Sequence, residues 1–137
     1  MGRILAIDYG SKRVGLAVTD PLKMFAQSLD TVPVHEIMTY LRNYCTKEPV
    51  ELFVVGKALQ MNGNESASMT YIHAFVKNLN KQFPQIPVTF VDERFTSVLA
   101  QKTMIDAGLK KKDRQVKATV DKIAATIILQ TYLESNR

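Results

Sequence analysis

Two strand-length apolar runs separated by a short polar turn open this chain, and that pairing limits the folds available to it. Residues 3–9 contain the buried-type run Ile4-Leu5-Ala6-Ile7, and residues 14–19 read Val-Gly-Leu-Ala-Val-Thr. Gly10-Ser11-Lys12-Arg13 between them supplies turn residues, so the pair reads as a β-hairpin. Asp20-Pro21 breaks the chain, and a third strand is expected around residues 26–32. Pro33 then sits at the mouth of a helix over about 34–46, a favoured place for proline. The rest alternates. A strand over 51–55 ends at Gly56, the loop to Asn64 contains the turn signal Asn62-Gly63, and a helix follows over about 65–82. A fifth strand, Val88-Thr89-Phe90-Val91, lies beyond Pro84 and Pro87. Thr96 or Ser97 can cap a helix through about 107 that Gly108 stops, and a basic loop leads to a last helix over about 117–135. An antiparallel meander followed by alternating helices and strands predicts a mixed α/β sheet of five strands flanked by helices.

With 137 residues and no repeat, low-complexity stretch or dividing linker, residues 1–137 are expected to form one domain. A hydrophobic fraction of 46% is ordinary for a soluble globular chain, and 23% charged residues argue against global disorder. The longest apolar runs reach about half the roughly 20 residues of a membrane span, so no membrane association is expected. The chain starts directly on a strand-like run, without the pattern of a signal peptide. The single cysteine, Cys45, excludes an internal disulfide and a cysteine-based zinc site, and reads as a small core residue. Together these features suggest a cytoplasmic protein. Eighteen Lys and Arg against 13 Asp and Glu give a net charge of +5, which favours polyanionic partners. Lys110, Lys111, Lys112, Arg114 and Lys117 fall within eight residues, and Lys12-Arg13 form a second pair.

Three acidic residues stand out against this frame. Asp8 closes the first apolar run and, by strand alternation, shares a face with Ile4 and Ala6. It is either a carboxylate aimed into a cleft or a turn residue bonding nearby amides. Asp92 and Glu93 follow the fifth strand and cannot both share one face, so one of them is structural. Asp121 is the most informative. On the last helix, Ile123, Ala124, Ala125, Ile127, Ile128 and Tyr132 form a broad apolar arc, with Lys122, Thr126 and Gln130 opposite. Asp121 falls inside the arc, where a lone ionised carboxylate is costly without a salt bridge, a proton or a metal. If Asp8, Glu93 and Asp121 converge, cations must sit among them. Oxygen-only ligands suit magnesium or manganese, and two such ions about 4 Å apart can clamp the attacking and leaving oxygens of a phosphoryl displacement.

Ile7-Asp8-Tyr9-Gly10-Ser11-Lys12-Arg13-Val14-Gly15-Leu16-Ala17, Val91-Asp92-Glu93-Arg94-Phe95-Thr96-Ser97 and Val120-Asp121-Lys122-Ile123-Ala124-Ala125 resemble, in order and spacing, the motifs of the YqgF/RuvX family. Gly56 through Gly63 fits that family's loop after the fourth strand. The resemblance covers nearly the whole chain. It implies a ribonuclease H-like fold and a nuclease that either matures the 5′ end of pre-16S ribosomal RNA or resolves Holliday junctions. It places the catalytic, metal-binding triad on Asp8, Glu93 and Asp121, with Asp92 as the structural neighbour. The chain departs from the family pattern at Lys57-Ala58-Leu59, where proline is common, and at Asn64-Glu65-Ser66-Ala67-Ser68, where members are richer in acidic and arginine residues.

Around the triad, Lys12 and Arg13 are placed to hold a phosphate or else form a solvated turn. Arg94 either reaches the scissile phosphate or neutralises Asp92. Lys110, Lys111, Lys112, Arg114 and Lys117 form either a phosphate-tracking patch or a solvated loop. His35 and His73 are not expected to act as bases, and Tyr40, Tyr44, Phe75 and Phe83 read as helix packing. The expected activity is metal-dependent endonucleolytic hydrolysis with Mg2+ or Mn2+. The substrate is precursor rRNA or branched DNA, and the protein acts as a monomer or homodimer. An actin-like ATPase is the weaker alternative, because such enzymes need two domains around the nucleotide. A noncatalytic nucleic-acid binder fits poorly with an acidic residue on a buried helix face.

Overall fold

The computed structural model describes residues 2–57, 64–92 and 117–136, with side chains of the last segment described from Ile123 onward. Five strands form one sheet: β1 (Arg3–Tyr9), β2 (Arg13–Thr19), β3 (Ala26–Pro33), β4 (Val50–Lys57) and β5 (Val88–Asp92). Their order is β3-β2-β1-β4-β5. The first three strands pair antiparallel, whereas β1–β4 and β4–β5 pair parallel. This is the mixed sheet that the sequence predicts. Gly10 is required at the first turn, because its N–H donates to the Arg13 carbonyl at 2.9 Å and a Cβ there would lie 2.6 Å from that same oxygen.

Strand alternation divides the core in two. Leu5, Ile7, Val14, Leu16, Val18, Phe53 and Val55 face helices α1 (Ile37–Lys47) and α2 (Met69–Gln82), packing with Ile37, Leu41, Ile72, Phe75 and Leu79. Ile4, Ala6, Ala17 and Val54 face the other way, onto α3 (Lys117–Ser135), through Ala125, Ile128, Leu129 and Leu133. Tyr40, Tyr44, Phe83 and Cys45 pack against the first cluster, as their packing role requires. Burial, then the nearby Asp30 carboxylate, push the Tyr40 hydroxyl up to about 12, and burial also pushes the Cys45 thiol up. Phe53 is fully buried and meets Phe83 edge-on, with centroids 5.5 Å apart.

Element boundaries differ from expectation at helix starts. Val34–Glu36 forms a single 3-10 turn before α1, entered from Pro33, which is still extended (ψ 147°) at the end of β3. α2 starts at Met69 rather than 65. The chain enters it through three-residue turns, with the Met69, Thr70 and Tyr71 amides donating to the carbonyls of Ser66, Ala67 and Ser68. Both helices stop before a proline: Glu48 precedes Pro49 and Phe83 precedes Pro84, and each has left the helical region. α3 is less one-sided than its predicted arc. Leu129 and Leu133 are also buried, Thr126 is half-buried, and of the three residues expected on the polar side only Gln130 is described as exposed. α3 lies across β2, β3, β1 and β4, and this broad contact with one face of the sheet takes in Leu129 and Leu133 as well. The helix expected over 96–107 and the Asn62-Gly63 turn lie outside the described residues. No helix among the described residues is long and apolar enough to cross a membrane.

Candidate nuclease site

Asp8 is the penultimate residue of β1, half-buried, on the central strand of the sheet. Its parity with Ile4 and Ala6 puts it on the α3 side, as alternation predicts. Its cross-strand partner on β2 is Gly15. On the other flank, the parallel register pairs Ile7 with Val55, and continuing it by one residue sets Gly56 beside Asp8. The carboxylate is thus bordered in its row by two residues with no side chain. Any larger residue at either position would project over it from the same face.

The direction of α3 decides what lies above that row. Gln130, Leu133 and Glu134, near its C-terminus, line a groove with Met24, Phe25 and Ala26. Ala26 pairs with Thr19, whose Oγ1 accepts from the Ile4 amide at 3.0 Å. The C-terminal turns of α3 therefore sit where β1 begins, and the helix runs back toward the end where β1 finishes. Asp121 precedes Leu133 by twelve residues, about 18 Å of helix axis. The four residues from Ile4 to Asp8 span about 13 Å of strand. The first turns of α3 thus reach the level of Asp8. Position 121 lies one and two turns ahead of Ala125 and Ile128, both fully buried against the sheet.

On β5, Val91 packs on the α3 side, while Asp92, paired with Lys57 of β4, takes the opposite face. This is the split between neighbouring acids that the sequence requires, and it assigns Asp92 to the side away from Asp8. Glu93 and Arg94 follow directly in sequence and lie outside the described residues, as do Lys110, Lys111, Lys112 and Arg114. Lys117 opens α3, with its side chain undescribed. Among the described residues no group of three His, Cys, Asp or Glu forms a metal site. Only Asp8 of the expected triad has a described side chain.

Lys12 is exposed at the hairpin tip, and Arg13 is half-buried at the start of β2, opposite Pro33. Both sit at the same sheet edge as Asp8. Tyr9, the next residue along β1, points to the other face, where it stacks on Phe75 at 4.5 Å and burial pushes its hydroxyl up. His35 is exposed in the 3-10 turn. His73 engages Glu65, with Nε2 at 3.0 and 3.2 Å from its two carboxylate oxygens, and Lys57 Nζ approaches the same carboxylate at 3.9 Å. The sequence reading overlooked this grouping. Its signal was the departure from family pattern at Lys57 and at Asn64–Ser68.

Comparison with known proteins agrees with this geometry. Residues 2–135 match the family described as RuvX, Holliday junction resolvase. A protein of Bacteroides thetaiotaomicron named "Putative pre-16S rRNA nuclease" is 59% identical over 137 residues, covering 100% of this chain and 99% of the relative. One of Phocaeicola vulgatus with the same name is 60% identical with the same coverage. Among solved structures, Thermus thermophilus RuvC in complex with a Holliday junction substrate aligns with a TM-score of 0.57 at 15% identity, over 98% of this chain and 96% of that one. The fowlpox virus resolvase in complex with Holliday junction DNA aligns at 0.55 and 16% identity, over 98% of each chain. These alignments show the ribonuclease H-like fold. By its motifs, its fold and its match over almost every residue, the chain belongs to the RuvX family.

Proposed function

We propose that this protein is a divalent-metal-dependent endonuclease that hydrolyses nucleic-acid phosphodiester bonds, acting in 5′-end maturation of pre-16S rRNA. The observation that carries the reading is the placement of Asp8. It ends the central strand on the α3 side, between Gly15 and Gly56, at the level reached by the Asp121 turn of α3. Glu93 is the third member by sequence motif, two residues after Val91, which packs on that same side. Glycines on both sides keep the row beside that carboxylate clear of Cβ atoms, and an all-oxygen donor set would fit Mg2+ or Mn2+.

Asp8, Glu93 and Asp121 would hold the ions, which when bound supply charge neutralisation at phosphorus and activation of water. The chain's own residues do the rest. The rigid β1–β4 pair fixes Asp8. Lys12 and Arg13 at the hairpin, with Arg94 and the Lys110–Lys117 segment, offer cations to backbone phosphates and so set orientation without reading bases. The names of relatives more than half identical to this chain support the RNA reading. The family description supports a second one, cleavage of four-way DNA junctions, which requires two sites and hence a homodimer.

The test is incubation of the purified protein with precursor 16S rRNA and with four-way DNA junctions, in magnesium, manganese or chelator. Cleavage of one substrate, lost in chelator, is expected. Asp8→Asn is expected to lower the rate by at least about a hundredfold, since even residues that only orient metal ligands are worth about 10- to 100-fold. Its melting temperature should stay close to wild type. Full activity of Asp8→Asn would refute the assignment.

A further inference from the structure

On the α2 side of the same sheet edge, Lys57, Glu65, His73 and Phe90 form a contiguous exposed group that the triad does not use. Lys57 is the last residue of β4, one past Gly56, and faces α2 like Phe53 and Val55. Its side chain is 37% exposed and its ammonium lies 3.9 Å from Glu65. Phe90 on edge strand β5 shares that face, through its pairing with Val55, and remains 37% exposed. His73 joins the two: it grips both Glu65 oxygens and stands edge-on to the Phe90 ring, with centroids 6.1 Å apart.

Here a partly exposed aromatic on an edge strand adjoins a cation at the end of the neighbouring strand. That pairing has the chemistry of single-stranded nucleic-acid sites, where an aromatic face stacks a base and a neighbouring cation takes the phosphate. Two carboxylates border Lys57: Glu65, 3.9 Å from its ammonium, and Asp92, its register partner on β5 and on the same face. A solvated ion pair at this separation is weak, and Glu65 keeps its stronger contact with His73 when Lys57 turns to a phosphate.

We propose that Lys57 and Phe90 form a subsite for one unpaired nucleotide flanking the cleaved bond, Lys57 holding its phosphate and Phe90 its base, with His73 and Glu65 positioning them. The inference rests on the nuclease reading, because it presumes a nucleic-acid strand crossing this edge. It adds that the strand continues unpaired over the α2 side.

The experiment is fluorescence anisotropy of a labelled single-stranded RNA titrated with full-length protein, calcium replacing magnesium, across a range of salt concentrations. Lys57→Ala is expected to weaken binding and to lower the slope of log affinity against log salt by about 0.7, one phosphate contact on a single strand. Lys57→Arg should retain the slope. Phe90→Ala should weaken binding roughly tenfold without changing the slope, and Phe90→Tyr should restore it. Lys77→Ala, an exposed lysine on α2 outside the group, serves as control, and melting temperatures establish that each variant is folded. If Lys57→Ala keeps the wild-type slope, or Phe90→Ala the wild-type affinity, the subsite is overturned. Wild-type protein that binds no RNA at any salt would instead overturn the RNA-cleaving reading beneath it.

Discussion

The two faces of the sheet are built from the same strands and do different work. Toward α1 and α2, the strands present Leu5, Ile7, Leu16, Phe53 and Val55, large side chains that fill the space beneath two helices. Toward α3, the central strands present Ile4 and Val54 but also Ala6, Ala17, Gly15 and Asp8, and the helix answers with Ala125, Ile128, Leu129 and Leu133. The glycine beside Asp8 keeps that end of the row free of a neighbouring Cβ. Alternation allows this division, since adjacent residues of one strand serve opposite faces. One face is expected to dominate stability and the other to dominate activity, and substitutions can separate the two.

The largest effect should come from the α2 side. Phe53→Ala removes a fully buried ring and its contact with Phe83, and is expected to cost about 3–5 kcal/mol of unfolding free energy. Urea denaturation measures it. The residual folded protein should retain its cleavage rate per molecule, because Phe53 lies on the face away from Asp8. A loss below about 1 kcal/mol would mean that this cluster does not carry the fold.

How far the division was visible beforehand depends on the range of the interactions involved. The hairpin and the facing of Asp8 follow from alternation and from Gly10, which are local facts, and the structure has both. The start of α1 was misjudged by a 3-10 turn that only the geometry after Pro33 reveals. The start of α2 was placed four residues early, because three-residue turns resemble helix in sequence. On α3, the apolar arc was drawn too narrow. Leu129 and Leu133 are buried because the helix lies against several strands, which no periodicity within the helix can show. The Lys57–Glu65–His73–Phe90 group was missed because its members meet only after a loop and a helix fold back on the β4–β5 pair.

An intermediate effect should come from the α3 side. Gly15→Val adds a β-branched side chain beside Asp8, in a strand that otherwise favours such residues. Overpacking there is expected to cost about 1–3 kcal/mol. Cleavage measured well below the melting temperature should fall about tenfold or more, since small displacements of reacting groups are expensive. Thermal melting and initial rates on one preparation separate the two quantities. If the rate is unchanged while stability falls, the row beside Asp8 serves packing alone, and the contrast between the faces collapses.

The smallest effect is expected at the opposite end of the sheet, in the turn between β2 and β3. The Asp20 carboxylate accepts hydrogen bonds from the amides of Phe25 (2.8 Å), Met24 (2.9 Å) and Leu22 (3.2 Å), and Lys23 adopts a positive φ of 59° within the turn. These bonds, that from Phe25 first, hold the carboxyl below its ordinary range. A depressed folded-state pKa contributes stability above the unfolded value, and that contribution disappears as pH falls through the folded value. Asp20→Ala should therefore lower the melting temperature slightly at neutral pH, and the difference from wild type should close as the solution is acidified below the carboxylate range. Cleavage at neutral pH should not change, because this turn lies where β1 begins and the proposed nuclease site lies where it ends. A difference in melting temperature that persists undiminished into strong acid would show that the turn is held by something other than the charge on Asp20.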